Sequence, residues 1–142
     1  MKIFLDSSVL LAAACSAKGA SRALFHHHRE CGLSLLYSSY VRSEVRANLP
    51  FLGAEGIKSW DSLSMSLCLV EDSLVMDWPV VFSPAKDRPI LFTALAYADV
   101  LLTLDQRDFG PLMGIGFYGL PIMKPGDFLL RMRGEGRLSN ST

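Results

Sequence analysis

Short apolar runs of strand length alternate with helical patterns along this chain, and that order limits its possible folds more than any other feature. Residues 2–5, 33–37 and 100–104 are compact apolar runs, typical of strands covered on both faces of a sheet. Polar caps followed by apolar residues at helical spacing predict helices between them. Strands that alternate with helices favour parallel pairing. We therefore expect an α/β fold with a mostly parallel central sheet and helices on both faces.

The same cues predict the remaining elements and the domain organisation. Helices are predicted at residues 9–14, 21–30, 39–48, 54–68, 88–98 and 125–132, with further strands at 78–82 and 119–123. No repeat or linker divides the chain, so we expect one domain over residues 1–133. Residues 134–142 are polar and rich in Gly and Ser, and we expect them to form a disordered tail.

The composition narrows the class of protein. Of 142 residues, 50% are hydrophobic and 20% are charged, which favours a globular domain. Lys and Arg number 14 and so do Asp and Glu, so nucleic acid would have to be attracted by local clusters rather than by net charge. Three widely separated cysteines suit a reducing compartment. Asp6 interrupts the apolar N-terminal stretch, so we expect neither export nor a membrane span, and a cytoplasmic location.

Two aspartates come just after predicted strands. Asp6 follows the first strand and Asp105 follows the strand at 100–104. Ligands of open parallel sheets bind at the carboxyl edge, so the two side chains could face one crevice. A loop or helix-capping role for Asp6, and a turn role for Asp105, remain open as alternatives.

Three further acids extend the pattern. Glu44 falls on the inward face of its predicted helix, where a cation, Arg42 or Arg46 would have to offset its charge, unless the side chain reaches solvent. Asp87 precedes Arg-Pro and could cap a helix while leaving one carboxylate oxygen free. Asp108 lies three residues after Asp105 and could bind a metal directly or support a water ligand.

Carboxylates gathered in one pocket repel one another, and a bound cation relieves that repulsion. An all-oxygen ligand set favours Mg²⁺ or Mn²⁺, and the chain offers no His and Cys arrangement that would select zinc. Such an ion could activate water against a phosphodiester. Basic residues stand beside the acids and could hold flanking phosphates, although charge compensation explains each one equally well: Arg42, Arg46, Lys86, Arg88 and Arg107.

With these residues in view, the chain resembles PIN-domain proteins of the kind found as VapC-like toxins in bacterial and archaeal toxin–antitoxin pairs. The resemblance is carried by MKIFLDSS at residues 1–8, KDRPIL at 86–91, ADVLLTLDQRDF at 98–109 and GLPIMKPGDFL at 119–129. It extends over about residues 1–131, and the region from 50 to 81 carries little of the pattern.

The resemblance implies a three-layer α/β/α fold and Mg²⁺- or Mn²⁺-dependent cleavage of single-stranded RNA. It assigns metal binding and catalysis to Asp6, Glu44, Asp87 and Asp105, with Asp108 as an accessory ligand. A toxin of this kind would have an antitoxin protein as partner, and we expect a homodimer.

Two positions depart from the family pattern, and two other functions stay open. Leu104 stands where glycine is common, and Ser8 stands where asparagine often orders the site. A noncatalytic PIN-like module that binds RNA or protein would share the fold without hydrolysing RNA. A haloacid-dehalogenase-like phosphatase would use Asp6 as nucleophile, but those enzymes usually carry a second aspartate two residues later, where this chain has Ser8.

Overall fold

A computed structural model describes residues 1–74 and 85–139. Five strands form one sheet in the order β3-β2-β1-β4-β5, and each strand pairs with its neighbours in parallel. The strands are β1 Lys2–Leu5, β2 Ser34–Ser38, β3 Leu67–Val70, β4 Val100–Leu102 and β5 Ile122–Met123. The helices are α1 Ser7–Cys15, α2 Ala20–His27, α3 Ser39–Asn48, α4 Gly53–Ser64, α5 Arg88–Tyr97, α6 Gln106–Phe109 and α7 Pro125–Gly134. Short 3-10 turns cover Leu49–Phe51, Ala85–Asp87 and Gly110–Leu112.

The strand order places helices on both faces of the sheet. The chain moves outward from β1 to β2 and β3, and then returns past β1 to β4 and β5. Because parallel crossovers are right-handed, opposite directions of travel put the connecting helices on opposite faces. The central strand is accordingly enclosed, with Ile3, Phe4 and Leu5 all 0% exposed. The predicted α/β fold with its parallel sheet is confirmed.

The region after α3 differs from its sequence prediction. The helix predicted at 54–68 ends at Ser64, and Leu67–Val70 forms the edge strand β3 beside β2. Leu63, Leu67 and Val70 are spaced as on a helix, so periodicity alone extended the helix too far. The strand predicted at 78–82 lies outside the described residues.

The described part of the polar C-terminal segment packs against the domain. Leu138 is 3% exposed, the Arg137 guanidinium donates to the Cys31 carbonyl at 3.1 Å, and the Cys31 thiol donates to the Arg137 carbonyl at 3.4 Å. The prediction of a disordered tail beginning at residue 134 therefore does not describe residues 134–139, because one buried leucine and two reciprocal hydrogen bonds from side chains to backbone carbonyls anchor them.

Polar groups collect at the carboxyl edge of the sheet. β1 ends beside β4, with Leu5 opposite Leu102, and the Asp6 N–H donates to the Leu102 carbonyl at 3.1 Å. Helix α3 begins directly after β2, and α5 begins after the turn Ala85–Asp87. These four chain segments supply the side chains described below. Among the described residues, no helix is both long enough and apolar enough to cross a membrane.

Candidate metal centre

The two aspartates predicted to follow strands lie at the ends of the neighbouring strands β1 and β4, and both also cap helices. Asp6 Oδ1 accepts a hydrogen bond from the Ser7 N–H at 2.8 Å at the start of α1. Asp105 Oδ1 accepts one from the Asp108 N–H at 3.0 Å at the start of α6. Capping and a shared position at the carboxyl edge are therefore compatible, because one carboxylate has enough lone pairs for both.

Hydroxyl groups surround Asp6, which is only 4% exposed. Thr103 Oγ1 donates to Asp6 Oδ2 at 2.7 Å, and Ser8 Oγ donates to the same oxygen at 3.0 Å. The Ser7 hydroxyl lies 3.4 Å from Asp6 Oδ1 and 3.3 Å from Glu44 Oε1. We call these five residues the hydroxyl cluster: Asp6, Ser7, Ser8, Glu44 and Thr103. Within it, both oxygens of Asp6 already have hydrogen-bond donors from the protein.

The hydroxyl cluster also ties the ends of β1 and β4 together. Ser8 Oγ accepts a hydrogen bond from the Leu104 N–H at 3.1 Å, while Thr103 Oγ1 accepts one from the Asp105 N–H at 3.0 Å. Each hydroxyl thus donates to Asp6 and accepts from the backbone beyond β4. Ser8 therefore orders this edge together with Thr103, at a position where the family pattern often has asparagine.

Glu44 is half-buried and points toward Asp6 rather than toward an arginine. Burial raises its pKa, and the nearby charge of Asp6 raises it further. The sequence prediction named a cation, Arg42 or Arg46 as the compensating partner, whereas the structure gives it the Ser7 hydroxyl. Burial likewise raises the pKa of Asp6, against the lowering effect of its hydrogen bonds from Thr103, Ser8 and Ser7. Burial is thus the main cause of both raised pKa values, and a neighbouring carboxylate adds to it in each case.

Three aspartates form a second group beside the hydroxyl cluster, which we call the carboxylate triad. Asp87, Asp105 and Asp108 each offer one oxygen, and these three oxygens lie within 4.8 Å of one another. Asp87 is buried, whereas the other two are partly exposed. A single ion could therefore contact all three residues and remain open to solvent and substrate.

The Asp87 carboxylate does not cap α5, contrary to one reading of the sequence. Asp87 occupies the cap position, but its side chain makes no capping hydrogen bond. Pro89 is part of the reason, since it has no N–H to donate in the first turn. Among the described residues, no hydrogen-bond partner reaches Asp87 Oδ2, although that atom is buried. A buried carboxylate oxygen without a partner is costly, and a cation would relieve that cost.

The pKa values of Asp87 and Asp108 reflect the burial of Asp87 and the hydrogen bond between the two carboxyl groups. Burial, a hydrogen bond to Asp108, and the charges of Asp108 and Asp6 raise the pKa of Asp87 from 3.8 to about 8. The same hydrogen bond, together with Lys86, lowers the pKa of Asp108. Without a cation the pair therefore holds a proton on Asp87 at neutral pH. A bound cation would replace that proton in offsetting the negative charge of the carboxylates.

Of the five basic residues singled out in the sequence, Lys86 forms an ion pair with Asp108 of the carboxylate triad. Its Nζ lies 3.6 Å from Asp108 Oδ2 while the side chain stays 75% exposed. Asp108, Asp87 and Asp105 all raise the pKa of Lys86, so the ammonium remains charged. The others are intermediate in exposure (Arg42, Arg88) or exposed (Arg46, Arg107).

Sequence reasoning missed several polar residues of this edge. Thr103 and Ser7 were not singled out, although each touches a carboxylate of the site. Tyr40 was also missed; its Oη donates a hydrogen bond to the backbone carbonyl of Lys86. Thr103 directly follows the apolar strand β4. A polar residue in that position is the one sequence signal that could have identified any of these three residues.

The donor set fits a hard divalent cation. All the side-chain ligands that converge are carboxylate oxygens, which Mg²⁺ and Mn²⁺ accept. The buried Asp87 Oδ2, which has no hydrogen-bond partner among the described residues, is the observation that favours a cation at this point. Asp6 and Glu44 stand alongside, held by hydroxyl groups.

Comparison with known proteins supports the fold rather than an activity. No family model and no curated protein matches the chain. A solved structure does match: VapBC2 from Rickettsia felis bound to a DNA fragment from their promoter, with 14% sequence identity and a TM-score of 0.61. The match covers 86% of this chain and 97% of that chain. The protein therefore has a PIN-like α/β fold with a cluster of acidic residues at its carboxyl edge.

Proposed function

We propose that this protein is a Mg²⁺- or Mn²⁺-dependent endoribonuclease that cleaves single-stranded RNA in the cytosol. The observation that carries the proposal is the buried Asp87 Oδ2, which lacks a partner among the described residues and belongs to a group of three converging carboxylates. Its PIN-like fold, matched to a VapBC2 structure, supports the same assignment.

Each group of the site has a part in the proposed reaction. Asp87, Asp105 and Asp108 would hold the ion, and Asp6 would add negative charge from within the hydroxyl cluster. When bound, the ion would attract the phosphodiester, lower the pKa of a nearby water and offset negative charge on the phosphorus oxygens. Glu44 would act as the general base, because it is half-buried beside Asp6 and burial raises its pKa and hence its basicity. The exposed Lys86 ammonium would pair with a phosphate of the incoming strand.

The experiment is cleavage of a fluorescently labelled single-stranded RNA by the purified protein, with Mg²⁺, with Mn²⁺ and with EDTA. We expect cleavage with either ion, none with EDTA, and none with Asp87→Asn. Asp61→Asn is the matched control, because it removes an exposed aspartate on α4 outside the site. A protein that binds Mn²⁺ and RNA without cutting would contradict the proposal and favour the noncatalytic binding module.

The phosphatase alternative is disfavoured by the surroundings of Asp6. A nucleophilic carboxylate needs an open approach, but Asp6 is 4% exposed and both of its oxygens accept hydrogen bonds. Trapping of a phosphoaspartate at Asp6 would reverse this conclusion.

We also propose that the protein is the toxin of a type II toxin–antitoxin pair and forms a homodimer. The support is its fold, which is similar to that of VapBC2. Co-expression with the product of an adjacent small reading frame should abolish RNA cleavage, and light scattering should give twice the mass of one chain. Unchanged cleavage would contradict the antitoxin assignment, and a monomeric mass would contradict the dimer.

A further inference from the structure

Tyr40 lies between the two parts of the candidate site. It is four residues before Glu44 on α3, so the two side chains share one face of that helix. The Tyr40 hydroxyl donates a hydrogen bond to the backbone carbonyl of Lys86. Lys86 is adjacent to Asp87 in the turn Ala85–Asp87. One phenol thus joins the helix that carries Glu44 to the turn that carries Lys86 and Asp87.

The backbone of Tyr40 is itself held in place. Its N–H donates to Asp72 Oδ1 at 3.1 Å, just beyond the end of β3. Ser38 caps the same helix, with its Oγ accepting from the Val41 N–H at 3.3 Å. The backbone from which the tyrosine side chain extends is therefore fixed at the start of α3. Burial, and then the charges of Glu44 and Asp87, raise the pKa of the phenol, so it remains a donor.

The turn needs such an anchor because Asp87 is not fixed by its own helix. Its side chain makes no capping bond to α5. We propose that Tyr40 is a positioning residue: its hydroxyl fixes the Lys86 carbonyl and so sets where the Asp87 carboxylate and the Lys86 ammonium stand relative to Glu44. The inference rests on the proposed function, because it concerns the placement of groups that would hold the ion and the RNA. Misplacement of reacting groups by about 1 Å is enough to lower activity strongly.

The test compares Tyr40→Phe with wild type in Mn²⁺ calorimetry without RNA. Losing a hydrogen bond that orients metal ligands typically weakens metal binding by about 10- to 100-fold, and we expect a loss in that range. Tyr97→Phe is the matched control, since it removes a phenolic hydroxyl at the other end of α5, about 15 Å along the helix axis. The control should bind Mn²⁺ as wild type does.

Kinetics on RNA separate positioning from a general loss of structure. At saturating Mn²⁺, the kcat of Tyr40→Phe should recover, whereas its KM should stay elevated because Lys86 is displaced. Replacing Tyr40 by 4-aminophenylalanine, which can donate to the same carbonyl, should restore Mn²⁺ affinity. The 4-methylphenylalanine variant fills the same space without a donor, and it repeats the comparison if the phenylalanine variant is unstable.

The outcomes also separate this inference from the proposed function. Wild type that binds Mn²⁺, with a folded Tyr40→Phe that binds it equally well, would overturn the role of Tyr40 and leave the proposed function standing. Equal Mn²⁺ affinity of the 4-amino and 4-methyl variants would overturn it as well. Wild type that binds no Mn²⁺ would overturn the proposed function, and the role of Tyr40 with it.

Discussion

The hydroxyl cluster and the carboxylate triad lie at the same edge of one sheet, yet their buried aspartates differ in how their oxygens are hydrogen-bonded. Asp6, in the hydroxyl cluster, receives donors from Thr103, Ser8 and Ser7. Asp87, in the carboxylate triad, is buried, and one of its oxygens has no hydrogen-bond partner among the described residues. Buried polar groups are normally satisfied by the protein itself. The contrast supports our proposal that a cation binds at the carboxylate triad, whereas Asp6 in the hydroxyl cluster receives its hydrogen bonds from the protein.

Removing the charge of Asp87 should separate the two groups most strongly. We expect Asp87→Asn to weaken Mn²⁺ binding by at least about tenfold. Loss of a residue that only hydrogen-bonds to a metal ligand already lowers metal affinity by about tenfold or more, and loss of the ligand itself should lower it at least as much. Above about pH 8, where Asp87 is ionised, the metal-free variant should also melt at a higher temperature than metal-free wild type, since a buried unpaired carboxylate is removed. Calorimetry and thermal unfolding in EDTA measure both effects. Normal Mn²⁺ affinity in this variant would remove the distinction between the two groups.

The pH dependence of stability gives the second largest difference. Asp87 has a folded pKa of about 8, above its ordinary value of 3.8, so the folded state binds its proton more tightly than the unfolded state does. Its contribution is present in full below pH 4 and is lost as the pH rises through 8. In EDTA, the melting temperature of wild type should therefore fall relative to that of Asp87→Asn between pH 5 and 9. Saturating Mn²⁺ should remove this fall, and parallel curves in EDTA would contradict the assignment.

Disrupting the hydroxyl cluster should affect stability more than metal binding. Thr103→Val keeps the shape of the side chain but removes the donor to Asp6 Oδ2 and the acceptor for the Asp105 N–H. Leaving such groups unsatisfied typically costs about 1–3 kcal/mol, and urea unfolding should show a loss of that size. Its Mn²⁺ affinity should fall less than that of Asp87→Asn. The reverse order would show that the hydroxyl cluster and the carboxylate triad do not act separately in metal binding.

Lys86 should give the smallest change in metal binding. Its ammonium is 75% exposed, and its ion pair with Asp108 is therefore largely screened by solvent. We expect Lys86→Met to leave Mn²⁺ affinity nearly unchanged or slightly higher, because a competing cation is removed. The KM for RNA should rise. A marked loss of Mn²⁺ affinity would show that Lys86 helps to shape the carboxylate triad rather than to receive the substrate.

Much of the fold could be predicted from the sequence because its strongest signals are local. The strands predicted at 2–5 and 100–104 are apolar runs, and residues 3–5 and 100–102 are buried as expected, although β4 ends at Leu102 and Leu104 is exposed. β3 could not be predicted, because an edge strand has little two-sided burial and the spacing of Leu67 and Val70 also suits a helix. Leu138 anchors a segment of otherwise polar composition, so composition alone gave the wrong expectation for residues 134–139.

The site was predictable to the extent that chain position dictates it. Asp6 and Asp105 follow neighbouring parallel strands, and this alone brings them to one edge. The division into two groups was not predictable, because it depends on which hydroxyl reaches which carboxylate. Thr103 contacts Asp6, which is 97 positions away in the sequence, and Tyr40 contacts Lys86, which is 46 positions away. No local sequence pattern predicts contacts over such separations.

Anomalous diffraction from crystals grown with Mn²⁺ tests the central claim most directly. We expect a peak of anomalous density from Mn²⁺ beside the carboxylate triad, with Asp87 Oδ2 about 2.1 Å from the ion, as is typical of a small hard cation. The hydrogen bonds to Asp6 from Ser8 and Thr103 should remain in place. An ion that leaves Asp87 Oδ2 without a partner, or crystals with no peak at this edge, would contradict the account.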